Sequence, residues 1–351
     1  MTTLSFEEKY KIIGTQDPSY EGLFITGVKT TGVFCRPSCR ARKPKIENVI
    51  FFDTAKSALQ HGYRPCKICK PMEKLGETPS YIQSLIKELQ QNPYLRIKDN
   101  DLAVRGLEPN HIRRWFKDHH QMTFQAYQRM LRMNAAYQKI EGGKSVLDSA
   151  LEIGYDSLSG FNESYRSIFG EPPTSSEKKD LLQITRFTTE VGPMFACASS
   201  QGLCLLEFTD RRMLETEFKD LRKRLNAVIL PGTNPYLKQV EMELLEYFQG
   251  KRKVFSVPLH TPGTDFQQSV WKGLRDIPYG QTRSYKEQAL ALDKPNAVRA
   301  VASANGQNRI AIIIPCHRVI GSDGKLVGYG GGLHRKKWLL DFEQNNSLSP
   351  D

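Results

Sequence analysis

Two cysteine settings in this sequence could do chemistry. Toward the C-terminus the run IIIPCHRVI (Ile312 to Ile320) places Cys316 beside His317, directly after an apolar stretch and a proline. The thiolate, not the thiol, is the nucleophile, and it forms where a base or a positive charge is at hand. Nearer the N-terminus four cysteines fall in two close pairs, Cys35 and Cys39 in FCRPSCR, Cys66 and Cys69 in YRPCKICKP. Two such pairs, each able to bite one ion from a turn, meet the needs of a tetrahedral thiolate zinc site. Such a site either only staples a small domain or also activates one of its cysteines, and the spacing leaves both open.

A chain of 351 residues that is 39% hydrophobic can build several cores, and two to four domains are expected. The N-terminus lacks a basic segment followed by an apolar one, and no window approaches the ~20 apolar residues of a membrane span. A cytoplasmic, non-membrane protein is expected. Seven cysteines without a secretion signal argue against a disulfide framework and for metal or thiol chemistry. The net charge of +12 is uneven: residues 1–78 hold 13 Lys and Arg against 8 acids, 79–180 hold 14 against 13, and 181–351 hold 23 against 17. The run RPSCRARKPK, with Arg36, Arg40, Arg42, Lys43 and Lys45 and no acid, suits a phosphate-bearing partner.

Polar stretches at 73–80 and 175–180 read as linkers. Between them the apolar period is helical. Ile82, Leu85, Ile86 and Leu89 form one face, ended by Pro93; then come a short helix, a glycine turn and a second helix with Ile112, Trp115, Phe116 and His119 inward and Arg113, Arg114 and Lys117 outward. A looser copy follows, with Phe161, Tyr165, Ile168 and Phe169 inward and Asn162, Arg166 and Ser167 outward. A long helix from Phe124 to Ile140 joins the two and turns Tyr127, Leu131 and Ala135 inward. A generic helical bundle satisfies the same periodicity.

Beyond the second linker, strands are expected on either side of a turn at SSQG, with charged helices after them; Cys197 and Cys204 read as buried hydrophobes within those strands. The segments SYKEQALAL and NAVRAVASA read as a further helix-turn-helix, its second helix lined by Ala297, Ala300, Ser303 and Ala304. Such a helix cannot specify sequence, but it can enter a minor groove about 6 Å wide. Ile312 to Ile314 read as the end of a buried strand anchoring an apolar slot, Cys316 as an exposed, readily ionised thiol at the base of that slot, and Gly330 to Gly332 as a flexible wall.

Three stretches resemble known families. TTGVFCRPSCRARK and GYRPCKICKP resemble the zinc domain of the Ada family of methylated-DNA repair proteins; the tandem helical units ending in SGFNESYRSIFGEPPT resemble AraC/XylS DNA-binding domains; PYGQTRSY, NAVRAVASANGQN, IPCHRV and GYGGGLHRKKWLLDFE resemble the alkylated-DNA protein-cysteine methyltransferases. Their order is that of the Ada family. The resemblance implies an α+β multidomain fold: a zinc-bound α/β domain (1–78), an all-α double helix-turn-helix (79–178), a ribonuclease-H-like α/β subdomain (181–262) and a winged-helix-like methyltransferase domain (263–345).

It also implies roles. One Zn2+ would be held by Cys35, Cys39, Cys66 and Cys69, with Cys35 accepting a methyl group from a methylphosphotriester, while Thr31, Arg40, Arg42 and Arg64 contact the DNA backbone. Cys316 would accept the methyl group of O6-methylguanine or O4-methylthymine through a relay of water, His317 and Glu343, the carboxylate stabilising a charged imidazole. Asn308 would hold the recognition helix against the active-site turn, Tyr285 would rotate the phosphate and protonate the leaving base, Arg299 would fill the gap left by the flipped base beside Ala300, and Tyr329 would border the base pocket. Partners implied are damaged and promoter double-stranded DNA and RNA polymerase, with no membrane, for a monomer associated with the nucleoid. Competing readings are a zinc-containing transcription factor that binds altered DNA without methyl transfer, and a thiol redox sensor.

Overall fold

A computed structural model describes residues 4–16, 20–72, 78–175 and 179–347. Most of the first expected linker (73–77) and part of the second (176–178) lie outside the described residues.

The N-terminal unit is a small sheet of order β3-β1-β2-β4 with two helices. α1 (Phe6–Thr15) begins at Ser5, where Ser5 and Glu8 satisfy each other's backbone N–H. β1 (Ile25–Val28) pairs antiparallel with β2 (Val33–Cys35) and β3 (Val49–Phe52). α2 (Ala55–Gln60) leads into β4 (Arg64–Pro65), which runs parallel to β2 with Phe34 opposite Pro65. That pairing brings Cys35, the last residue of β2, beside Cys66, whose N–H donates to Phe34 O at 2.9 Å.

The middle is all helical: α3 (Ser80–Gln91), α4 (Asp99–Val104), α5 (Pro109–His120), α6 (Phe124–Glu141), α7 (Val146–Glu152) and α8 (Leu158–Phe169). Gly106, at φ +70°, makes the turn between α4 and α5, a conformation that favours glycine. α6 serves two cores. Phe124, Tyr127 and Leu131 pack with α3 to α5, whereas Met133 and Ala136 pack with Phe161, Tyr165 and Phe169. Meeting the second core shifts the apolar stripe by one position, so Ala136 is buried and Ala135, expected inward, is only half-buried. Asn162, expected outward, is half-buried with its Oδ1 enclosed.

The C-terminal half opens with β5 (Asp180–Thr189), β6 (Gly192–Ala198) and β7 (Leu203–Phe208), joined by the turn at 199–202, and then α9 (Leu214–Arg224), β8 (Ala227–Pro231) and α10 (Pro235–Phe248). The sheet order is β7-β6-β5-β8, antiparallel except for β8, a strand not anticipated from sequence, which lies parallel to β5. Cys197 and Cys204 are buried within it. Leu230 of β8 joins the core of Met133 and Ala136, and Asn134 Nδ2 donates to Pro231 O at 2.9 Å, so the helical middle is seated on this sheet's edge.

The remaining elements are α11 (Asp265–Arg275), β9 (Arg283–Ser284), α12 (Tyr285–Ala291), α13 (Val298–Gly306), β10 (Val319–Ile320) and α14 (Leu333–Ser347). α11 starts at Thr264 and α12 at Ser284, each in a reciprocal cap with the residue three positions on. Trp271 of α11 donates from Nε1 to Ala304 O of α13 at 2.9 Å, closing the helix-turn-helix against its support. The whole is a multidomain α+β chain, as expected. Among the described residues no helix is long and apolar enough to cross a membrane.

Candidate active site and metal centre

Cys316 sits where the two C-terminal units meet. Leu206 of β7 donates to Arg309 O and accepts from Ala311 N, both at 2.8 Å, so the chain after α13 is laid along the edge of the sheet. The apolar run expected to be a strand is instead a series of tight turns. Only Ile310 bridges to β7, and Ile312 takes φ +71°, a strained conformation for a β-branched residue, held by its complete burial. Cys316 then opens a short 3-10 turn that runs into β10, and β10 pairs parallel with β9, the strand that delivers Tyr285.

The expected exposed, readily ionised thiol is not found: Cys316 is 8% exposed and burial pushes its pKa up. Asn308 opposes this, donating from Nδ2 to Cys316 Sγ at 3.1 Å and to Ile314 O at 2.8 Å while its Oδ1 accepts from Ile310 N at 3.0 Å. His317 Nε2 lies 2.9 Å from Glu343 Oε1. A carboxylate only accepts, so Nε2 carries the proton and Nδ1, enclosed and without a hydrogen-bond partner, is the acceptor. Glu343 favours the charged imidazole, in the direction the resemblance implies. Burial outweighs Glu343 and holds His317 below the usual imidazole range, leaving it neutral and able to take a proton.

Glu343 is fully buried, where its charge would be costly, yet His317 and Arg318 hold it well below the usual carboxylate range. Arg318 donates to both of its oxygens, at 2.8 and 3.0 Å, and Tyr247 OH donates to Oε1 at 2.8 Å. Lys336, also fully buried, donates to Val319 O at 2.6 Å and Val327 O at 2.7 Å; burial lowers it to about 8, against the pull of Cys316. Of the three glycines expected to form a flexible wall, Gly330 is exposed while Gly331 and Gly332 are buried. A Cβ on Gly330 would collide with the Arg211 guanidinium and one on Gly331 with the Phe208 ring. Tyr329 stands in this wall, its ring 6.4 Å from that of His317, and the Tyr285 hydroxyl lies against Gly328.

On α13, Arg299, Ala300 and Ser303 are exposed, whereas Ala304 is buried against Val270 and Ala289 and Ala297 is half-buried, so the small-residue face is narrower than expected.

In the N-terminal unit the sulfurs of Cys35, Cys39, Cys66 and Cys69 all lie within 4.8 Å of one another. Four sulfurs on one tetrahedral zinc, each at about 2.3 Å, are about 3.8 Å apart, so the residues fit that ion. The donor set agrees. Hydrogen bonding from Cys35 draws the Cys69 thiol down to about 6, the same contact pushes Cys35 up, and burial pushes Cys39 up to about 11. A divalent cation is what would let all four ionise. The backbone around them is fixed by Arg36, whose N–H donates to Cys69 Sγ at 3.3 Å and whose Nε donates to Cys69 O at 2.9 Å, and by buried Glu21, which pairs with Arg36 and accepts from Ser38 N at 3.2 Å. Arg36 is thereby removed from the basic run, and Lys43 lies over the Tyr10 ring. Thr31, Arg40, Arg42 and Arg64 are exposed, Arg64 on the strand next to that of Cys35.

Family models match in chain order: the metal binding domain of Ada over residues 8–72, a helix-turn-helix domain over 103–179, and the ribonuclease-like and DNA binding domains of 6-O-methylguanine DNA methyltransferase over 184–261 and 265–345. The bifunctional transcriptional activator/DNA repair enzyme Ada of Escherichia coli (strain K12) is 34% identical over 98% of this chain and 98% of its own length. The chain belongs to the Ada family. The methylated-DNA--protein-cysteine methyltransferase of Mycobacterium tuberculosis (strain H37Rv) is 49% identical over 48% of this Ada-family chain and 95% of that protein. A crystal structure of a methylated N-ADA/DNA complex matches at 34% identity over 36% of this chain and 98% of that one, with a TM-score of 0.29. The Ada metal-binding match and the four-sulfur cluster together assign one Zn2+ to this member.

Proposed function

We propose that this chain repairs alkylated DNA by taking methyl groups irreversibly onto two of its own cysteines, Cys316 and Cys35, and that the transfer to Cys35 turns it into a transcriptional activator. The observation that carries the repair reading is the arrangement at Cys316: a thiol with an amide donor on its sulfur, beside a neutral imidazole whose acceptor nitrogen has no protein partner and whose donor nitrogen is locked on Glu343. His317 Nδ1 takes the Cys316 proton through a bridging water. The sulfur attacks the methyl carbon of O6-methylguanine, or of O4-methylthymine; the S–C bond forms as the C–O bond breaks, and the base leaves with a proton from Tyr285. Arg299 and Ala300 on α13 enter the minor groove, Arg299 filling the gap of the flipped base, and Tyr329 borders the pocket that receives it. The thioether product is a poor leaving group, so Cys316 acts once.

At the N-terminal site Cys35, Cys39, Cys66 and Cys69 would hold the zinc ion, whose charge would favour their ionised form at neutral pH. Cys35 attacks the methyl carbon of a methylphosphotriester, whose phosphate diester leaves, with Thr31, Arg40, Arg42 and Arg64 on the DNA backbone. Conversion of the Cys35 thiolate to a thioether removes one negative charge facing DNA, worth roughly 1–4 kcal/mol near a surface, on the order of tenfold to several-hundredfold in affinity. The two tandem helix-turn-helix units let a single copy span successive major grooves, which supports a monomer acting at promoters; RNA polymerase is the partner it would recruit there, in the cytoplasm at the nucleoid. The functional units are 1–78, 79–178, 181–262 and 263–345.

Mass spectrometry of tryptic peptides after incubation with duplex carrying each lesion tests this. One added CH2 is expected on Cys316 with O6-methylguanine and one on Cys35 with the phosphotriester, each abolished by serine at that position. No adduct on either would leave a zinc-containing transcription factor that only binds altered DNA.

A further inference from the structure

Arg211 lies within the ribonuclease-like match but outside every motif singled out in the sequence, and it touches two walls of the Cys316 site. It follows β7 in a turn closed by its own N–H to Phe208 O at 3.0 Å, and its side chain is 6% exposed. Nη2 donates to Gly306 O, at the end of α13, at 2.8 Å and pairs with Glu217 at 2.8 Å. Nη1 pairs with buried Glu207 and occupies the space that a Cβ on Gly330 would need. Gly330 is not at positive φ, so glycine is required there for room rather than for conformation.

We propose that Arg211 is a positioning residue for transfer to Cys316: one guanidinium ties the last turn of α13 to the Tyr329–Gly332 wall, so that seating α13 on DNA also sets the wall of the base pocket. This rests on Cys316 being the acceptor. A guanidinium is planar with five donors in fixed directions, so it can hold both partners in one geometry where a flexible ammonium could not. Glu207 and Glu217 brace it from either side. Burial pushes the Glu207 carboxyl up, against the pull of Arg211. The field of the guanidinium acts on Cys316 in the direction that favours the thiolate.

The test uses the full-length chain in three forms: Gly330→Ala, which forces the guanidinium aside without changing charge; Arg211→Met combined with Glu207→Gln, which leaves one fewer unpaired buried carboxylate; and all three changes together. Single-turnover alkylation of Cys316 is followed with an O6-methylguanine duplex and with free O6-benzylguanine, which does not engage α13, and folding is followed by thermal melting. Misplacement of a reacting group by about 1 Å slows transfer up to a hundredfold, so each form should lose at least about tenfold with duplex. The loss with free base should be smaller, and the triple change no worse than either alone, because both break one contact. Equal losses with duplex and free base would make Arg211 a pocket-wall residue only and overturn the proposal, as would losses that multiply. If the Arg211→Met form does not fold, Gly330→Ala with unchanged melting decides by its duplex-to-base ratio. Failure of the unaltered chain to alkylate Cys316 at all would instead overturn the acceptor assignment.

Discussion

Asn308 and Cys316 are joined side chain to side chain, the amide nitrogen 3.1 Å from the sulfur, in a loop where both are buried. The amide favours the thiolate that burial disfavours, so it sets how much nucleophile is present at neutral pH. Replacing Asn308 by Ala should therefore move the midpoint of the pH–rate profile for Cys316 alkylation upward. A hydrogen bond to a charged group is worth about 1.5–3 kcal/mol, so the neutral-pH rate should fall about tenfold to a hundredfold. A midpoint that stays in place would show that Asn308 only supports Ile314, to which it also donates.

How much of this was legible in sequence follows from how far apart the cooperating residues lie. The four zinc ligands are two near pairs, and near pairs of cysteine are rare enough to be read directly. Arg318 and Lys336 stood inside stretches already singled out, but arginine and lysine there read as surface charge until their burial is known. Glu21, Arg211 and Tyr247 reach their partners from distant elements and are of types found everywhere, so no local pattern marks them. The apolar run before Cys316 misled for a different reason. Hydrophobicity reports burial, and Ile312 to Ile314 are buried, but the backbone there is fixed by two bonds to β7 and a positive φ at Ile312 that composition does not encode.

Glu343 anchors the site against acid. Its folded carboxyl is depressed by His317 and Arg318, so its contribution to stability is full above the usual carboxylate range and is lost as pH falls toward its own lowered value. His317, also depressed, acts in the same direction below the usual imidazole range. Glu343→Gln leaves the Arg318 guanidinium without its counter-charge and should lower unfolding stability at pH 7 by about 3–5 kcal/mol. Urea titrations from pH 7 downward should show the gap to the unaltered chain narrowing with acid; a gap independent of pH would contradict this assignment.

Zinc is expected to matter locally. Among its described residues the N-terminal unit has only small clusters of buried side chains around Phe24 and Phe34, too few to hold the sheet without a staple. Cys66→Ser removes a buried ligand, and chelation removes the ion. Both should expose residues 20–72 to limited proteolysis and drop the zinc content from one per chain, while alkylation of Cys316 proceeds at its normal rate. Loss of Cys316 reactivity on chelation would mean that the two ends fold as one unit.

The exposed cations near Cys35 should act through phosphates alone. Arg40, Arg42 and Arg64 are solvent-facing, whereas Arg36 is held by Glu21 and Cys69 O, so only the first three are free to displace counterions from DNA. Each contact to phosphate contributes about one to the slope of log affinity against log salt. Arg40→Ala, Arg42→Ala and Arg64→Ala should each reduce that slope by about one and weaken binding alike on every sequence. Arg36→Ala should leave the slope unchanged and instead loosen the loop between Cys35 and Cys39, read as a faster loss of zinc to a chelator. A change in slope for Arg36→Ala equal to that of the other three would place its charge on DNA rather than on the metal loop.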